Sequence, residues 1–304
     1  MAATKLQLIT AMYDHNLKHI TDNPANWRGF LRSASRNYKL AFEEQILVHA
    51  QRPDATAVLE LEKWNTQFAR WVNKGAIGIA VIDRDYPGKR RMKYYFDVSD
   101  THEGHYSRPI PIWEMKPQYE QEVIETLEAT FGELADKESL MQAVLSAVNN
   151  AVADNLTDYI YQLKDCLDGS MLDGLANEEV IKITSDIINH SVAYMTFCRL
   201  GIDPDLFIGD DVFYGIRQFS TPDTVTVLGA ATSAIAEMGL REIASTVINL
   251  QKAEKTSNHT FANYEKSIDN NSISNTERGF GHGSTDLHRS ERIQNTQSDS
   301  AGRT

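Results

Sequence analysis

The stretch AIGIAVIDRDYPGKRRMKYYFDV, residues 76–98, decides the fold class of this chain. Ala76–Ile82 is short, apolar and rich in β-branched residues, and Lys93–Val98 is aromatic and β-branched, so each reads as a strand. Asp83–Arg91 lies between them and carries Pro87-Gly88, a turn signal, which makes the pair a hairpin. The surrounding segments repeat their apolar residues at helical spacing. One small hairpin sheet among helices predicts a mostly α, α+β chain.

Outward toward the N-terminus, Leu6, Ile9, Tyr13, Leu17 and Ile20 recur every three or four residues, predicting a helix from Thr4 to about Thr21. Asn23-Pro24 breaks it, and Pro24 suits the first turn of a second helix reaching Tyr38. That helix sets Trp27, Phe30, Leu31 and Ala34 on one side and Arg28, Arg32 and Arg36 on the other. Further helices are expected over 41–50 and 58–68, and a loop over 100–111. From Pro117 to about Glu254 the pattern is helical throughout. Gly201 marks one helix stop and Thr221-Pro222-Asp223 a helix start. The helix after it is expected to bury Leu228, Ala231, Ile235 and Met238, with Gly229 and Gly239 allowing close helix contact. Beyond Thr256 the composition turns to Ser, Thr, Asn, Gly, Gln and His, which bury too little apolar surface to offset ordering entropy. The expected organisation is an α+β domain over 1–112, an acidic all-helical domain over 113–255 and a disordered linker or tail over 256–304. A linker ending a chain is what the N-terminal module of a larger protein would show.

The 304 residues are 41% hydrophobic and 24% charged, enough for a sizeable core. No apolar run is long enough for a membrane span, and the N-terminus lacks the basic start, apolar block and cleavage site of a signal peptide. Cys166 and Cys198 form no CxxC pair and sit in apolar helical patterns, so they read as buried thiols of a cytoplasmic protein. The net charge of -12 is unevenly spread. Residues 1–100 carry 15 Lys and Arg against 11 Asp and Glu, whereas residues 101–260 carry 10 against 25. A polyanion is attracted to the front and repelled by the middle.

Motifs with metal or catalytic spacing are thin. His15 and His19 have the spacing of a helical zinc pair, but Asn16 stands where a catalytic glutamate would be, and no third ligand is evident. His102 and His105 lie in the expected loop, where spacing carries little information. No nucleotide-binding loop, nucleophile elbow or cysteine cluster occurs, so no cofactor, metal or catalytic residue is expected. The stronger signal is a basic and aromatic set in the first hundred residues: Arg28, Arg32, Arg36, Trp64, Arg70, Trp71, Lys74, Lys89, Arg90, Arg91 and Lys93, with Tyr94 and Tyr95 beside the last. Cations that track phosphates and flat rings that stack on bases are what single-strand binding needs. The plain alternative is that the tryptophans are core and the arginines only solvate a face.

The run NYKLAFEEQILVHAQRPDATAVLELEKWNTQFARWVNKGAIGIAVID, residues 37–83, with YYFDVSDT at 94–101, resembles the N-terminal region of very large helicase/methylase-like proteins of Gram-positive integrative conjugative elements. SVAYMTFCRLGIDP (191–204) and FSTPDTVTVLGAATSAIAEMGLREIASTVINLQ (219–251) resemble the same proteins. The order of Asn37-Tyr38, the Gln45/Leu47 helix, Trp64 and Val72-Asn-Lys-Gly75 is similar to the single-strand-DNA-binding domain of ArdC-type antirestriction proteins, which adds Tyr38 to the expected contacts. The later helical part is similar to the end of the ArdC metallopeptidase domain, whose HExxH helix has no counterpart in residues 101–190. The resemblance implies a non-catalytic DNA-binding module, favouring single strands, of a mobile-element DNA-processing or antirestriction protein. The alternative is an interaction module that docks downstream helicase or methylase domains of the same polypeptide, or a host protein, with no membrane partner.

Overall fold

In a computed structural model, the chain is described over residues 3–83 and 91–277, with side chains described to Thr256. The first three helices lie where the sequence placed them: α1 (Lys5–His19), α2 (Pro24–Arg36) and α3 (Phe42–Gln51). Thr4 and Gln7 cap α1 reciprocally, and the Asn23 side chain accepts the Asn26 N–H at the start of α2. The expected fourth helix divides into a strand, β1 (Val58–Glu60), and a shorter helix, α4 (Leu61–Phe68). Among the described residues five strands form where two were expected: β1, β2 (Arg70–Val72), β3 (Ile79–Asp83), β4 (Arg91–Asp97) and β5 (Thr101–Glu103). Three of them, β1, β2 and β5, have three residues each, too few for alternation to register in sequence.

The strands make two antiparallel sheets, β1-β4-β3 and a separate β2–β5 ribbon. In the first, Ile79 lies opposite Tyr95 and Val58 opposite Asp97. Leu47, Val48, Val58, Ile79, Val81 and Tyr95 form its core, which packs against α1 and α3. The edge of β3 is covered at Ala80. The Gln51 side chain donates to the Ala80 carbonyl (2.8 Å) and accepts the Ala80 N–H (3.0 Å), replacing a neighbouring strand. Between β4 and β5 the Asp97 carboxylate accepts N–H bonds from Thr56, Ala57 and Ser99, tying the β1 approach to the β4 exit. Burial works against its charge, but these hydrogen bonds, Ser99 foremost, outweigh it and hold the carboxyl below the usual range.

The second half is helical: α5 (Glu120–Phe131), α6 (Leu140–Lys164), α7 (Asn177–Leu200) and α8 (Pro222–Glu277). The left-handed Gly201 stops α7 as its sequence position predicts. Leu228, Ala231 and Ile235 of α8 are buried, whereas Met238 is exposed, a correction to the expected stripe. A Cβ at Gly229 would fall 2.1 Å from the Phe42 ring, so the close approach of α8 to α3 requires glycine there. Gly239 meets Phe131 only at ordinary contact distance.

No break in packing coincides with residue 112. One core contains Trp27 and Phe30 of α2 with Val123, Val144, Tyr194 and Ile235 of the later helices. The Trp27 indole N–H donates to Ser191 Oγ at 2.8 Å, and Ser233 Oγ donates to Gln45 Oε1 at 2.8 Å. The front and acidic helices therefore fold as one unit, which ends at Lys252. The expected tail begins inside α8, whose helical backbone continues to Glu277; residues 278–304 lie outside the described residues. The thiols are free and half-buried, and burial pushes Cys198 up to about 11, keeping it neutral. No described helix is long and apolar enough to cross a membrane.

Candidate nucleic-acid interface

Two of the three arginines on the outer face of α2, Arg28 and Arg32, meet the acidic half. Arg28 pairs with Asp205 (3.0 Å) and Asp210, and Arg32 pairs with Asp205 while its guanidinium lies 5.5 Å from the Tyr194 ring centre. Tyr194 also donates to Asp205, at 2.8 Å. Burial disfavours the charged Asp205, but Tyr194 and the two arginines outweigh it and hold the carboxyl below its ordinary value. Arg36 donates to the carbonyls of Ala55 (3.1 Å) and Pro53. These three arginines were expected to line a phosphate path; instead they join α2 to the segment after α7 and to the approach of β1. Periodicity put them on one helix face, but only packing decides what that face meets.

Four more expected contacts are structural. Tyr38 is buried in the main core, and Trp64 has 0% exposure with its indole N–H on the Phe96 carbonyl at 2.8 Å. Arg70 is buried and reaches Thr101 Oγ1 (2.8 Å) and Glu103 (2.6 Å). Lys93 lies against Glu44 at 2.7 Å beside the Tyr95 hydroxyl. Burial disfavours its charge, but the bonds to Glu44 and Tyr95 prevail and keep it protonated. Lys93 and Glu44 also line a cavity of about 160 Å³ with Tyr13, Leu47 and Ile82. Arg91 is exposed opposite Asp83 at the start of β4, and Lys89 and Arg90 lie outside the described residues.

Trp71 and Lys74 remain at the surface. In the β2–β5 ribbon, Arg70 is opposite Glu103, Trp71 opposite His102, and Val72 opposite Thr101. Side chains alternate across a strand, so Arg70, Thr101 and Glu103 bond to one another on one face while Trp71 and His102 share the other. Trp71 is 54% exposed, and His102 is exposed beside it. Asn73 extends the same face and its Oδ1 accepts from His102 Nδ1 at 2.7 Å. The strand then turns: Ala76 N–H bonds to the Asn73 carbonyl, Gly75 takes φ +88, and Lys74 stands at the tip. No described acid pairs with Lys74.

Past β5, Ser107 closes a turn on Gly104 and its hydroxyl donates to the Ala69 carbonyl at 2.7 Å. That turn carries His105 and Tyr106, in edge contact at 4.9 Å, with Tyr106 83% exposed. Arg108 follows, held by its N–H on the Phe68 carbonyl. The ribbon thus presents Trp71, His102, His105 and Tyr106 to solvent, with Lys74 at one end and Arg108 at the other. Sequence reasoning missed the second strand of this site, because THEGHYSR at 101–108 reads as a loop with two scattered histidines. The signal was present in its composition: two imidazoles, a tyrosine and an arginine within eight residues.

The histidine motifs show other partners than a metal. His15 and His19 stack at 5.9 Å, and His19 pairs with Asp22 at 3.2 Å. Among the described residues no group of three or more His, Cys, Asp or Glu is placed to hold an ion. No protein-family model, curated protein or solved structure matches the chain.

Proposed function

We propose that this chain is a non-catalytic module that binds single-stranded nucleic acid, DNA in the mobile-element setting that its sequence resembles, through the outer face of the β2–β5 ribbon. The observation that carries the reading is the exposed Trp71 indole, set in a row of solvent-facing rings with cations at its two ends. Rings of this kind stack on unpaired bases, each contributing about 1–3 kcal/mol, and the cations meet the flanking phosphates. A duplex hides its base faces and gives the rings nothing to stack on. The acidic helices repel a long polyanion, so contact is confined to the ribbon.

The test is fluorescence anisotropy of the full chain with labelled single- and double-stranded oligonucleotides across a salt series. Preferential single-strand binding is expected, with log K falling by about 0.7 per decade of salt for each phosphate neutralised, so about 1.4 for Lys74 and Arg108 together. Absence of binding at low salt, or equal affinity for the duplex, overturns the reading.

A second reading has its own support. On α6 and its C-cap, Asp154, Asp158, Tyr161 and Asp165 recur at helical spacing along one exposed face, none with an ion-pair partner among the described residues. This acidic stripe with its exposed tyrosine supports a protein-docking role, for a downstream helicase or methylase domain or a host factor. Size-exclusion chromatography with a candidate partner, using Asp158→Lys as the control, tests it: a complex lost in the variant supports docking.

A further inference from the structure

Trp71 and His102 are cross-strand partners, so their Cβ atoms lie about 5 Å apart on one face. Each ring is also held. The His102 ring is held through its Nδ1, 2.7 Å from Asn73 Oδ1. The Trp71 indole rests over Gly104: a Cβ built there would sit 3.3 Å from Nε1 and 3.7 Å from Cδ1. Gly104 is itself anchored, its N–H donating to Ser107 Oγ at 2.8 Å, which in turn holds the Ala69 carbonyl before β2. On the opposite face, the buried Arg70 bonds to Thr101 and to the exposed Glu103 carboxylate, which locks the two strands in register.

We propose that this face is a two-base step, on which Trp71 takes one unpaired nucleobase and His102 the next, with Gly104 and Asn73 as positioning residues. The inference rests on the nucleic-acid reading and deepens it, since it fixes the ligand as a short unpaired segment rather than a long strand. Flat rings on neighbouring strands take successive unpaired bases in this manner. The ribbon sets the limit: three residues per strand span about 10 Å. Pre-set rings lose little rotamer freedom on binding, which is why the seats under them matter.

The chain supplies its own reporter. Of its four tryptophans, Trp27, Trp64 and Trp113 are buried, so Trp71 is the one that solvent and ligand reach. The experiment titrates the full chain with oligothymidylates of one to about eight nucleotides, recording tryptophan emission and, with labelled strands, anisotropy. Emission is expected to be quenched, with the largest gain in affinity between one nucleotide and two and a shallow rise afterwards. His102→Ala should remove that gain while keeping the quench. Gly104→Val should weaken binding about tenfold, the loss of roughly one stacking contact, and raise acrylamide quenching of the free protein, with an unchanged melting curve. Trp71→Phe should retain most of the affinity. Binding detected by anisotropy with unaltered emission, or Gly104→Val binding as the parent does, overturns the step and leaves single-strand binding standing. Absence of binding by both signals overturns the nucleic-acid reading and the step with it.

Discussion

Trp64 and Trp71 stand seven residues apart in one basic, aromatic stretch, yet they belong to different regions of the molecule. Trp64 closes α4 onto β4, wholly buried with its N–H satisfied by Phe96, while Trp71 lies on the outer face of the ribbon. The same split divides the cations: Arg28 and Arg32 of α2 are neutralised by Asp205 and Asp210, and Lys74 meets no acid among the described residues. A residue type suited to binding becomes a structural joint wherever an opposite charge or a core reaches it first. Density of arginine and tryptophan is therefore a poor measure of a nucleic-acid surface until each group's partner is known.

The largest effect that would break this comparison is on stability. Trp64→Ala should cost about 3–5 kcal/mol of unfolding free energy, the range for removing a large buried aromatic, whereas Trp71→Ala should stay within about 0.5 kcal/mol. Urea denaturation of the two variants measures both; similar losses would mean that Trp71 is core after all. Next in size, Asp97→Ala should cost about 1–3 kcal/mol by orphaning the N–H groups of Thr56, Ala57 and Ser99. The pH dependence has a fixed sign, because the carboxyl is held below its unfolded value of 3.8. Its contribution is fully present above that pH and is lost as pH falls through the lower, folded value. An acid titration of stability should be flatter for the variant than for the parent below about pH 4.

Binding should then separate the surfaces. Trp71→Ala should weaken single-strand affinity by about 1–3 kcal/mol, roughly ten- to a hundredfold. Arg32→Glu sets a carboxylate against Asp205 and should lower stability by about 1–2 kcal/mol, with affinity unchanged in the folded fraction. An affinity loss as large as that of Trp71→Ala would restore α2 as part of the interface. The smallest expected change is Lys74→Ala, a few-fold loss of affinity with the salt slope reduced by about 0.7.

By itself the sequence determined what local physics can determine. The helical stripes gave α1, α2 and α3, two β-rich runs gave the antiparallel β3–β4 pair, with the expected Pro87-Gly88 turn outside the described residues, and Gly201 gave the end of α7. It also supplied the candidates Trp71 and Lys74, since residue type is read directly. Tertiary structure alone decided the rest. Strands of three residues carry too little alternation to be seen, so β1, β2 and β5 exist only because each finds a distant partner, Val58 with Asp97 and Trp71 with His102. Whether an arginine is a phosphate contact or half of an ion pair depends on a residue more than 170 positions away, as Asp205 shows for Arg28 and Arg32. Periodicity names the face a side chain occupies; only folding brings up the surface or the solvent that the face will meet.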